Sequence, residues 1–128
     1  MVRPQQSELT ERELEVMHVF WQGGEMIAAA AREQLAARGI DRAYVTIANL
    51  VRILVEKGFL EATNGERPFR YRPRRSFDDV SGRFVANLVK RVFQGSREQL
   101  LVKLLDGRGR LSSKERALLR QILKEQES

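Results

Sequence analysis

Between residues 42 and 52, side chains that can meet a nucleobase recur at helical spacing. At ~100° per residue, Arg42, Val45, Thr46 and Asn49 fall on one side of a helix, with Tyr44 and Arg52 near its edges. An asparagine amide pairs bidentately with adenine, a guanidinium does so with guanine, and threonine meets a thymine methyl or a phosphate. Tyr44 stands where a phenol reaches a phosphate. A second set follows at once. Arg67, Arg70, Arg72, Arg74 and Arg75 place five guanidinium groups in nine residues, with no acid among them. Such a run repels itself unless something anionic meets it. Each phosphate it neutralised would steepen the log–log salt dependence of binding by roughly 0.9. Base edges met by a helix and phosphates met by cations are the chemistry of duplex DNA recognition.

Other chemistries lack their residues. The chain has 128 residues, one His and no Cys. It therefore offers no thiolate metal site and no thiol nucleophile. It has no phosphate-cradling Gly-rich motif and no carboxylate cluster on an apolar background, so neither an enzyme nor a cofactor or metal is expected. His18, alone near an apolar stripe, reads as structural, and Trp21 as packing at a helix end. The surplus of 23 Lys+Arg over 17 Asp+Glu, a net charge of +6, favours a polyanionic partner. The longest apolar run is Met26 to Ala31, far below the ~18 residues of a membrane span. The N-terminus lacks the apolar core of a signal peptide. A cytoplasmic protein without membrane insertion is the expectation.

The elements that must position these residues are legible from periodicity. Thr10 and Glu13 form a capping box opening a first helix, which carries Leu14, Val16, Met17, Phe20 and Trp21 and stops at Gly23-Gly24. A second helix is expected over 27–38 and a third over 42–57. Ile47, Leu50, Val51 and Leu54 form the apolar side of the third, opposite the candidate reading face. The period then shortens to two residues. Strands are expected over 59–63 and 69–72, joined through Asn64-Gly65. Three helices and a β-hairpin make a winged helix, assigned to residues 1–75.

Residues 76–128 read as helical. One helix opens near Ser76 and runs to Gly95 with Phe77, Val80, Phe84, Leu88 and Val92 on one stripe and Val85, Val89 and Phe93 on another. A second, over 97–106, carries Leu101, Leu104 and Leu105. A third opens on the capping box of Ser112 and Glu115 and carries Leu119 and Ile122. So short a segment cannot bury such stripes alone. The expectation is a mainly α fold whose C-terminal half is a helical dimerisation domain completed by a second copy. A winged helix can also serve as a protein-interaction adaptor without DNA; an adaptor has no need of the basic wing.

The order and spacing of these segments resemble the penicillinase repressor family of winged-helix transcriptional regulators. Leu9-Thr10, Glu13-Leu14-Glu15-Val16-Met17 and Trp21 resemble the family's opening helix. Ala43-Tyr44, Thr46-Ile47, Leu50-Val51, Leu54 and Lys57-Gly58 resemble its recognition helix, and Phe69-Arg70-Tyr71 the end of its wing. Leu100-Leu101, Leu111-Ser112, Glu115, Leu119-Arg120 and Ile122-Leu123 follow its C-terminal pattern. The resemblance implies a homodimeric repressor on a pseudopalindromic operator. It also implies release by a membrane sensor-protease that cuts the dimerisation domain, the bond aligning with Lys103–Leu104.

Overall fold

The computed structural model describes residues 9–106 and 110–127. The order of elements is α1 (Glu11–Gly23), β1 (Met26–Ile27), α2 (Ala28–Ala37), α3 (Tyr44–Glu56), β2 (Leu60–Ala62), β3 (Arg70–Pro73), α4 (Phe77–Arg91), α5 (Arg97–Leu105) and α6 (Ser113–Glu127). Two compact units divide the chain, one ending at Ser81 and one beginning at Gly82.

The first unit is a winged helix around one apolar core. Val16, Met17, Val19 and Phe20 enter it from α1, Ala31 and Leu35 from α2, and Ile47, Val51 and Leu54 from α3. Phe59 and Leu60 close it from the β2 side. The Thr10 hydroxyl accepts from the Glu13 N–H, and the Glu13 carboxylate accepts from the Thr10 N–H, so the expected capping box opens α1. The buried Glu13 carboxylate also accepts from Lys57 Nζ at 2.8 Å. That pair ties the start of α1 to the end of α3. Gly24 (φ 82°) and Gly58 (φ 86°) occupy left-handed backbone immediately after α1 and α3, where a Cβ would be strained.

Periodicity alone misses one strand. Met26–Ile27 pairs antiparallel with β3, Met26 opposite Tyr71 and Ile27 opposite Arg70. The sheet therefore has three strands in the order β1-β3-β2. Two residues are too few to show alternation, and these two begin the apolar run expected as helix. The second helix accordingly starts at Ala28. The third starts at Tyr44, after Ala43 as N-cap, so Arg42 precedes the helix instead of lying on it.

The chain leaves the sheet through Arg74 and Arg75, where the Trp21 indole N–H donates to the Arg75 carbonyl at 2.9 Å. The Trp21 ring packs edge-on to His18 and Phe77, with centroids 5.4 and 5.3 Å away. Val80, placed by its spacing on the dimerising stripe, is 4% exposed and belongs to the first unit's core. A side chain already buried within one chain has little area left for a second. Trp21→Phe keeps a ring there and removes the donor; a loss of about 1 kcal/mol is expected from urea unfolding.

The second unit contains the remainder of α4 with α5 and α6. The Ser76 hydroxyl accepts from the Asp79 N–H at 3.0 Å, where the spacing places the start of α4. The helix ends earlier than its stripe predicts. Gln94 (φ 51°) and Gly95 (φ 89°) are left-handed, and the Gly95 N–H bonds back to the Val89 carbonyl at 2.8 Å. Val92 and Phe93 thus lie past the last helical residue, Arg91. Ser96 caps α5, and Ser112 with Glu115 forms the reciprocal capping box of α6. The Gly107–Gly109 break lies outside the described residues. Among those described, no side chain of this unit is buried. Phe84, Leu88, Leu101, Leu104, Leu105 and Ile122 all stand open to solvent in the single chain. Leu119 is half-buried.

Candidate nucleic-acid interface

Helix α3 carries two unlike faces. Ile47, Val51 and Leu54 fix its inner face in the core, with Leu50 half-buried beside them. The same rotation turns the polar face outward. Tyr44 and Val45 are 52% and 64% exposed, Asn49 and Arg52 are exposed, and Thr46 is half-buried. Arg52 pairs with Glu56 one turn on, at 2.9 Å across the helix surface. No side chain caps α3; the Ala43 carbonyl accepts from the Thr46 and Ile47 N–H groups.

Arg42 behaves differently from the rest of that set. Its guanidinium lies 2.9 Å from Glu15 on α1, and its carbonyl accepts from Arg32 Nε on α2. Both groups of the ion pair are three-quarters buried at the side chain. Arg42 pins the turn before α3 to the two preceding helices.

The wing is built on β2 and β3, with Leu60 opposite Pro73, Glu61 opposite Arg72 and Ala62 opposite Tyr71. Asn64 organises its tip. Its amide nitrogen donates to the carbonyls of Glu66 and Pro68, and its amide oxygen accepts from the Arg70 N–H at 2.8 Å. The Thr63 N–H donates to the Arg70 carbonyl at 2.8 Å. These bonds hold Arg67, exposed, on a defined loop. Its guanidinium carbon stands 5.8 Å from the centre of the Phe69 ring.

The family model for the penicillinase repressors matches residues 9–125. The chain belongs to the penicillinase repressor family. Members of that family are DNA-binding transcriptional repressors, and its winged helix is the arrangement described above. No curated protein matches the chain. No group of three or more metal-ligating side chains occurs among the described residues. No described helix is long and apolar enough to cross a membrane.

In this penicillinase repressor the arginine run is less bare than its sequence implies. Arg70 donates to Glu25 at 3.0 Å and Arg72 to Glu61 at 2.8 Å. The acids come from the residue before β1 and from β2, which flank β3 on either side. A linear count over 67–75 cannot contain them. The Arg70 guanidinium, followed by Thr63, holds the Glu25 carboxyl below the usual carboxylate range. Glu61 raises Arg72 above its ordinary value. The Glu25 link is therefore present at neutral pH and is lost as acid takes the solution down through the lowered carboxyl value. Arg67, Arg74 and Arg75 make no ion pair among the described residues. Arg75 lies over the Phe59 ring at 5.2 Å.

Proposed function

We propose that the chain is a sequence-specific repressor acting as a homodimer on a two-fold operator, with α3 reading base edges and the wing holding phosphates. The observation that carries this is the outward face of α3, where Val45, Thr46 and Asn49 share one exposed surface on a helix anchored through Ile47, Val51 and Leu54. Arg67, Arg74 and Arg75 supply positive charge without an acid partner among the described residues. Arg70 and Arg72 reach phosphate by exchanging their carboxylates for it. Arg42 supports the reading helix from behind. The exposed apolar side chains of α4, α5 and α6 supply the dimer surface.

Roles divide by what each side chain touches. Arg67→Ala is expected to weaken all duplexes alike and to lower the salt slope by about 0.9. Asn49→Ala is expected to flatten sequence preference by about 1–3 kcal/mol at one position. Titrations of both variants against matched and scrambled duplexes over a range of salt separate the two. Equal loss of preference from both would contradict the division.

Glu25→Gln tests the exchange. It frees Arg70 from its acid, so binding to any duplex is expected to tighten and its salt slope to steepen. An unchanged slope would mean that Arg70 never leaves Glu25.

Release by proteolysis fits the placement of Lys103 and Leu104. Both are exposed on α5, and Leu104 is 69% exposed beside Leu101 and Leu105. A cut there divides the proposed dimer surface between two fragments.

A further inference from the structure

A cleft of about 780 Å³ opens between α3 and the wing, inside the first unit. That volume falls within the range of small-molecule sites, roughly 300–1,000 Å³. Its lining sorts into three kinds. Ala28, Ala48 and Ala62 contribute only methyl groups, with Val55 beside them. Tyr44, Phe69 and Tyr71 contribute aromatic rings. Asn49, Arg52 and Arg67 contribute the polar groups, and no acid lines the cleft.

We propose that this cleft is an effector site for a planar aromatic carboxylate of one or two rings. Methyl groups and aromatic rings suit a flat apolar body, which gains by leaving water and by stacking. The charge requirement follows from the cations. Arg52 already has Glu56, whereas Arg67 has no acid among the described residues and sits over Phe69. A guanidinium stacked on one ring of the cleft is placed to take a carboxylate bidentately. Duplex DNA does not satisfy the apolar lining, because its bases are stacked and its outer surface is phosphate.

The effect on DNA rests on the function proposed above. Tyr44 and Asn49 belong both to the cleft and to the reading face. A ligand beside them and a duplex over them compete, and by linkage each lowers the affinity of the other.

The test uses the full chain and two probes, 2-naphthoate and uncharged 2-naphthylmethanol. Titration followed by amide chemical shifts is expected to give saturable naphthoate binding, with shifts confined to residues 44–55 and 62–71. Naphthylmethanol should bind about tenfold more weakly, and Arg67→Gln should erase that difference. Ala48→Phe fills the cleft and should abolish binding of both; its thermal melt shows whether it folds. Absence of saturation at millimolar naphthoate, shifts lying elsewhere, or binding indifferent to both variants overturns the site. Naphthoate that binds in the cleft yet leaves an operator duplex in place overturns the competition. Naphthoate binding by a chain that takes up no duplex at low salt overturns the DNA reading and leaves the cleft site standing.

Discussion

Leu88→Asp is expected to leave the chain monomeric and to weaken operator binding by about a hundredfold or more. Leu88 and Phe84 lie one turn apart on α4, each 40% exposed. Neither belongs to the core of the first unit. A carboxylate on that surface must be desolvated when a second copy covers it, and nothing apolar there compensates. Two winged helices joined as a dimer bind the second half-site at high effective concentration; a monomer binds one half-site alone. Sedimentation of the variant should give single-chain mass, while its first unit melts as in the parent. A variant that still sediments as a dimer would move the interface off this stripe of α4.

Phe59→Ala is expected to cost about 3–5 kcal/mol, a large part of the total stability of a domain this size. The ring is 1% exposed and follows Gly58 at the point where α3 gives way to β2. Its N–H donates to the Leu54 carbonyl, and its carbonyl accepts from the Arg74 N–H. Arg75 lies over its face. One side chain thus fills the core beneath the reading helix and seats the end of the wing. Urea unfolding should show the midpoint fall sharply. Phe69→Ala, on the half-buried wing, should cost far less. A Phe59→Ala loss below about 1 kcal/mol would mean the site collapses around the cavity far more completely than a packed core normally allows.

What the sequence made legible was what depends on local periodicity. Both faces of α3 follow from the spacing of Ile47, Val51 and Leu54 against Val45 and Asn49. The capping boxes at Thr10 and Ser112 mark their helices correctly, because a cap is a relation among residues three apart. What stayed hidden depends on long-range pairing. Strand β1 exists because β3 offers it an edge, and Met26 and Ile27 carry no strand pattern of their own. Glu15, Glu25 and Glu61 neutralise arginines 27, 45 and 11 residues away. Asn64 was visible as half of a turn, but not as the residue that binds the wing tip to Arg70. Val80 fits a dimer stripe by spacing and a core by packing, and only the folded chain distinguishes the two.

The central claim is that α3 and the wing together read a particular duplex sequence, twice. Selection from a pool of random duplexes by the full chain at physiological salt tests it most directly. The account predicts enrichment of a two-fold sequence whose half-sites lie about one helical turn, 10 base pairs, or a multiple of it apart, with preference lost position by position in Asn49→Ala. Enrichment of no sequence at all, or retention of every duplex alike, would contradict it.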